Sequence, residues 1–201
     1  MQTIVAATKN QGKIREIARM AGEDKIQVRS MAEMGVNLEI EETGTTFEDN
    51  AMLKAEAVWN ALEGRYLVLA DDSGLEIDYF DGRPGIYSSR WLGETTSYTE
   101  KNRIVLERMQ AVPEEKRGAR YVCAIAAIAP DGRRFTVRET MEGRIADEPQ
   151  GTEGFGYDPI FWLPEYGCTV AQLPMDVKNG FSHRGKALRA MEARLVREQL
   201  L

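Results

Sequence analysis

Two consecutive aspartates, Asp71 and Asp72, stand at the end of an apolar run, Tyr66 to Ala70, and are followed by Ser73-Gly74. Neighbouring carboxylates at the edge of a core repel one another and are partly desolvated, a cost that a cation or helix-end donors offset. Magnesium is the economical cation, because a hard divalent ion can be held by one or two carboxylates plus substrate phosphates. It would also give a carboxylate a water to activate, as phosphoryl hydrolysis requires. A second acidic pair, Glu41-Glu42, precedes a helix and joins this reading. Spacing alone equally allows Asp71-Asp72 to start a turn and Glu41-Glu42 to be solvated.

Three further segments carry donors or flat surfaces. Thr8-Lys9-Asn10-Gln11-Gly12-Lys13 lies where a strand passes into a helix, so free backbone N–H groups and the positive helix end favour an anion there, phosphate being the natural occupant. It is not a Walker A loop, since Ala7 occupies the first glycine position and Ile14 follows Lys13. A plain polar loop leading into the helix is its competitor. Gly154-Phe155-Gly156-Tyr157-Asp158-Pro159-Ile160-Phe161-Trp162 sets aromatics on a glycine-shaped loop, a possible platform for a base with Asp158 at a ring edge, or simply core filling and turns. Lys178 and Ser182-His183-Arg184 cluster donors around a helix start. His183 is the only histidine, which excludes every multi-histidine metal site, and no G-x-S-x-G elbow accompanies it. Cys123 and Cys168 lack Cys-x-x-Cys spacing and read as plain buried residues.

The elements that must position these groups are legible from periodicity. Thr3 to Ala7, the polar loop and then Ile14, Ile17, Ala18 and Ala21 read as strand, loop, helix. A short strand lies near Ile26 to Val28. Thr45 with Glu48 forms a capping box for a helix from about Phe47 to Leu62 that Gly64 stops, and Lys54 is the odd charge on its apolar side. Tyr66 to Ala70 is a strand broken by Asp71-Asp72-Ser73-Gly74, with Leu75 to Tyr79 beyond it. A helix from about Thr99 to Met109 precedes a hairpin, Ala119 to Ala129 and Arg133 to Thr140, turning at Asp131-Gly132. Pro149 to Gly167 reads as an ordered loop, and a last helix runs from about His183 to Leu200. The hairpin demands antiparallel neighbours, so the expected class is α/β with a mixed sheet and helices on its faces.

Composition narrows the functions. The 201 residues fit one domain, 1–201, and carry 43% hydrophobic and 29% charged residues, an ordinary globular balance that excludes disordered and fibrous chains. The longest apolar stretch, Val122 to Ala129, is too short to span a bilayer, and the first residues do not read as a secretory signal, so no membrane role and a cytoplasmic setting are expected. A net charge of −6 argues against gripping a nucleic-acid polymer and suits small anions carried with a divalent metal. Phosphate donors, metal ligands, a base platform and further donors together describe a nucleotide site.

Six motifs then resemble one family in order along the chain: Thr8-x-Asn10-x-x-Lys13, Glu41-x-x-Gly44-x-x-Phe47, Asp71-Asp72-Ser73-Gly74-Leu75, Gly82-x-Pro84-Gly85-Ile86-Tyr87-Ser88-x-Arg90, Gly154 to Phe161, and Ser182-His183-Arg184-x-x-Ala187. The set is similar to the inosine triphosphate pyrophosphatase family. The resemblance implies magnesium-dependent hydrolysis of deaminated purine nucleoside triphosphates (dITP, ITP, XTP) to monophosphate and pyrophosphate, by a homodimer that keeps them out of DNA and RNA. It implies an elongated mixed sheet flanked by helices, with two lobes around a nucleotide-binding cleft. It implies that Thr8, Lys9, Asn10, Gln11, Gly12 and Lys13 hold the triphosphate, with Lys54 facing the phosphates. Glu41 and Asp72 would bind Mg2+, with Asp72 also the proton acceptor. Ser73 would touch the nucleotide, Phe155, Gly156, Tyr157 and Asp158 would line the base, and Lys178, His183 and Arg184 would complete the pocket. A regulatory binding module and a phosphatase removing only the terminal phosphate are the competing readings.

Overall fold

The computed structural model describes residues 2–21 and 26–201. Seven strands form one mixed sheet: β1 (Gln2–Ala6), β2 (Ile26–Ser30), β3 (Leu67–Ile77), β4 (Gly118–Ile128), β5 (Arg134–Ile145), β6 (Phe161–Leu163) and β7 (Cys168–Thr169). Their order across the sheet is β2-β1-β3-β4-β5-β6-β7. β1 is parallel to β2 and β3, with Ile4 opposite Leu67, whereas β5–β6 and β6–β7 are antiparallel. Five α-helices accompany them among the described residues: α1 (Gln11–Ala21), α2 (Phe47–Ala61), α3 (Tyr98–Met109), α4 (Met175–Phe181) and α5 (His183–Arg197). None is long and apolar enough to cross a membrane.

The chain forms two compact units, one of Met1–Asp72, Cys123–Glu139 and Arg184–Leu201, the other of Ser73–Val122 and Thr140–His183. Each has its own core. In the first, alternate residues of β1 (Ile4, Ala6), β3 (Leu67, Leu69) and β4 (Cys123, Ile125, Ala127) pack with Ile17 of α1 and Leu188, Met191 and Leu195 of α5. The intervening Val5, Val68 and Ala70 are buried as well, as are Ala51, Ala55 and Val58 of α2, so these strands are apolar on both faces. Each fully buried Leu or Ile contributes about 1.5–3 kcal/mol. In the second unit Leu75 and Ile77 of β3, Val105 and Met109 of α3, Tyr121 of β4 and Met141 and Ile145 of β5 pack around Ile160 and Phe161. Val105 and Met109 lie four apart on one face of α3, a helix that begins where the Ser97 side chain accepts from the Glu100 N–H at 3.2 Å.

Several boundaries depart from the sequence reading. β3 is continuous from Leu67 to Ile77; Asp71-Asp72-Ser73-Gly74 does not break it, because both carboxylates find partners inside the first unit. The capping box on α2 sits one residue later, with Thr46 accepting from the Asp49 N–H at 3.0 Å and Asp49 accepting from the Thr46 N–H at 3.2 Å. The shorter Asp49 carboxylate closes the ring that Glu48 was expected to close. The segment Pro149 to Gly167 contains β6 and is followed at once by β7, and α4 stands directly before α5. Cys123 is buried, Cys168 only half-buried, and both are free thiols.

Candidate active site

The first unit gathers the acidic and phosphate-type residues. Asp71 and Asp72 are successive residues of β3, and successive strand side chains point to opposite faces. They therefore meet different partners although they are neighbours in sequence. Asp71 pairs with Lys13 at 2.9 Å and with the Arg184 Nε at 3.3 Å. Asp72 pairs through Oδ1 with Lys54 at 2.8 Å, and Lys54 reaches Glu42 at the same distance. Burial pushes the Asp71 carboxyl up, but Lys13 and Arg184 outweigh it and hold that group well below the usual carboxylate range. Burial also raises Asp72, and there Lys54 is outweighed, so Asp72 stays above its ordinary value. Lys54 is desolvated too, yet Asp72 and Glu42 raise it and keep it charged. Two adjacent carboxylates driven in opposite directions are the arrangement in which one serves as a permanent charge and the other as a proton acceptor.

Local folding explains how these groups are held. Asn10 caps α1, its side-chain oxygen accepting from the Gly12 N–H at 2.8 Å and the Lys13 N–H at 3.3 Å. Its own N–H donates to the Thr8 hydroxyl at 3.1 Å, which curls the loop back on itself. Lys9 is exposed, and the side chain of Gln11 lies outside the described residues. On α2, Asn50 and Lys54 are four apart and share a face. Asn50 is fully buried, accepts from the Gly44 N–H at 2.8 Å and approaches the second oxygen of Asp72 at 3.4 Å, so it ties the acidic segment to β3. A Cβ on Gly44 would come within 2.7 Å of the Asn50 side chain, so that close approach needs glycine. The structure thus joins Lys13, Lys54, Asp71, Asp72 and Arg184. Glu41 is exposed, and Glu42 is the acidic residue that reaches Lys54.

The second unit gathers the aromatic and basic residues. Asp158 is buried at the centre of the glycine loop and its carboxylate accepts from Lys178 at 2.6 Å, from the Phe155 N–H at 2.9 Å and from the Tyr121 hydroxyl at 3.1 Å. A Cβ on Gly154, whose φ is +77°, would lie 2.2 Å from Asp158 Oδ2. Asp158 thus acts as an internal brace, tying the loop at the Phe155 N–H to Tyr121 of β4 and Lys178 of α4. Burial, then the Asp158 carboxylate, push the Tyr121 hydroxyl well up, so it remains a donor. His183 stacks on the Tyr121 ring at 4.9 Å and 11°. Phe155 is 59% exposed with the Lys178 ammonium 5.2 Å from its ring centre, a flat apolar surface beside a cation. Tyr157 is buried instead, its ring edge-on to Tyr98 at 5.3 Å and its hydroxyl donating to the Ser88 carbonyl at 2.9 Å. Ser73 is half-buried at the first position of this unit.

Asn50 and Tyr121 are members that the sequence reading did not single out. Asn50 had a detectable signal, its i, i+4 relation to Lys54; Tyr121 inside an apolar strand had none. Among the described residues no three acidic, histidine or cysteine side chains converge into a ready-made metal cage. The Asp72 and Glu42 carboxylates share the Lys54 ammonium, and among the described residues Asp72 Oδ2 has only the long Asn50 contact, so these oxygens suit a hard ion completed by phosphate and water.

The Asp71 ion pairs have a testable pH signature. A carboxyl held down in the folded state contributes stability above its unfolded value, and that contribution disappears as the pH falls through the folded one. Asp71→Asn should destabilise the protein near neutral pH, and the gap to wild type should narrow below about pH 4. Urea midpoints for both proteins across the acid range measure this; a gap that is constant with pH would contradict it.

Comparison with known proteins adds lineage to the geometry. The model of the Ham1 family matches residues 4–194. A dITP/XTP pyrophosphatase of Exiguobacterium sibiricum is 45% identical over 192 residues, which is 96% of each chain. One from Geobacter sulfurreducens is 44% identical over 97% of each. The Ham1 protein of Staphylococcus aureus superposes with a TM-score of 0.90 at 40% identity, over 98% of this chain and all of that one.

Proposed function

The chain belongs to the Ham1 family, and from that premise we propose that it hydrolyses deaminated purine nucleoside triphosphates, dITP, ITP and XTP, to the monophosphate and pyrophosphate. The observation that carries the chemistry is the divergence of Asp71 and Asp72, one paired with Lys13 and Arg184, the other with Lys54 through one oxygen while its second oxygen has only a long contact to Asn50. The Thr8 to Lys13 loop, with Lys13 and Lys54, receives the phosphates; Ser73, Phe155 to Asp158, Lys178, His183 and Arg184 receive the nucleoside.

In the reaction, a water oxygen attacks the α-phosphorus while Asp72 accepts its proton. The bond from the α-phosphorus to the bridging oxygen breaks and pyrophosphate leaves with the electron pair. Lys13 and Lys54 balance the charge gathering on the phosphate oxygens. Magnesium, held by Asp72 and the acidic pair Glu41-Glu42, would withdraw charge from the phosphates and orient the water. A carbonyl at the 6-position separates hypoxanthine and xanthine from adenine, whose amino group would leave the pocket's buried donors unpaired. A homodimer and a cytosolic setting belong to the same reading.

The test is product identity: pyrophosphate and orthophosphate counted separately from dITP, with and without magnesium. Pyrophosphate that depends on magnesium is expected; orthophosphate alone would transfer the protein to the terminal-phosphate class, and binding without turnover would make it a binding module. Glu41→Gln and Glu42→Gln separate the acidic pair. The substitution that removes a metal ligand should raise the magnesium concentration for half-maximal rate by about tenfold or more. The other should leave it within about twofold, and equal, small effects from both would remove this segment from the metal site.

A further inference from the structure

The base-binding loop is held from behind by α3. Asn102, 6% exposed and in the second turn of that helix, donates from Nδ2 to the Gly156 carbonyl at 3.1 Å across 54 residues of sequence. Its Oδ1 is buried and has no hydrogen-bond partner among the described residues. A buried amide with one end unsatisfied costs about 1–3 kcal/mol, so packing alone favours an apolar residue here. What the amide uniquely supplies is the donor to Gly156.

That donor acts on more than one atom. The Gly156 carbonyl and the Tyr157 N–H belong to one planar trans peptide and point in opposite directions, so anchoring the oxygen on α3 aims the N–H away from it. No backbone carbonyl of a described residue accepts from this N–H. The Tyr157 side chain is committed elsewhere, against Tyr98 and bonded to Ser88. Gly156 sits at φ +70°, a conformation that turns the peptide easily unless something fixes it. Nearby, Lys101 is 1% exposed and donates to the Ser89 carbonyl at 2.5 Å, so the same stretch of α3 also fastens the segment that holds the Tyr157 hydroxyl.

We propose that Asn102 is a positioning residue for base selection: by holding the Gly156 carbonyl it presents the Tyr157 N–H as a fixed donor to the 6-carbonyl of the substrate base. The proposal rests on the reading that residues 155 to 158 bind the base. Asn102→Ala removes the anchor, and Asn102→Asp places carboxylate oxygens against a carbonyl. Both should raise KM for dITP with little change in kcat. Both should lower the ratio of kcat/KM for dITP over dATP by about tenfold or more, Asn102→Asp the further of the two. A purely structural Asn102 would lower thermal stability and leave the ratio where it was, and that result overturns the proposal. Should neither variant fold, Gly156→Ala disturbs the same peptide: its Cβ meets only Tyr98 at 3.7 Å, but φ +70° strains any side chain there. A reduced ratio there supports the proposal, and an unchanged one rejects it. The wild-type control keeps the two levels apart: no pyrophosphate from dITP by the unmodified protein would end the functional reading and this proposal with it, whereas an active wild type with an unmoved ratio ends only the role of Asn102.

Discussion

Asp72→Asn should lower kcat for dITP by about 10²–10⁴-fold, the range that a positioned general base supplies, while nucleotide affinity stays within a few-fold. The variant is nearly isosteric, and its amide oxygen can still accept from Lys54, which holds Asp72 at 2.8 Å in the native protein. What it removes is the group that takes the proton and one charge facing the cation. Asp71→Asn is the informative partner, since Asp71 is held low by Lys13 and Arg184 and has no proton to exchange near neutral pH. Its loss should appear in stability and in the placement of Lys13 more than in the chemical step. Steady-state turnover with a separate binding measurement distinguishes the two aspartates. An Asp72→Asn enzyme that keeps its kcat would remove Asp72 as the base.

The largest effect on stability is expected far from that chemistry, at Arg117. It is 3% exposed, and its guanidinium donates to the carbonyls of Ile145 at 2.9 Å, Met109 at 2.9 Å, Ala146 at 2.5 Å and Val112 at 3.4 Å, with Asp147 at 3.3 Å. One side chain thus satisfies the end of α3, the turn after it and the end of β5 at once. Arg117→Met keeps much of the apolar stem but strands those carbonyls. The expected loss is about 3–5 kcal/mol, as for removal of one partner from a buried charged network. Denaturant unfolding measures it, and a loss below about 1 kcal/mol would show that the carbonyls find other donors or water.

How much of this was legible beforehand depended on whether a residue's role is local. Loop, helix and hairpin signals reported local chemistry, so β1, α1, α2, α3 and the Asp131-Gly132 hairpin lie close to where periodicity put them. The strand through Asp71 and Asp72 was misread as broken because a run of Asp, Asp, Ser and Gly is turn-like unless distant cations meet it. Lys13, Lys54 and Arg184 do so, and their separation in sequence hides the pairing. The role of Arg117 is hidden for the same reason, since its partners include carbonyls about thirty residues away. Asp158 and Tyr157 were expected at the base. The structure gives Asp158 to Lys178, Tyr121 and the Phe155 amide, and gives the Tyr157 ring to Tyr98. Residue type and spacing could place both in the loop, but not say which of their atoms remain for a ligand.

Selectivity among purines tests the central claim most directly. Pyrophosphate release from dITP, XTP, dGTP and dATP, each at the same subsaturating concentration with magnesium, gives relative kcat/KM without further assumptions. Rapid release is expected from dITP and XTP and hardly any from dATP, a margin of about 10²-fold or more. Equal release from all four, or a preference for dATP, would contradict it.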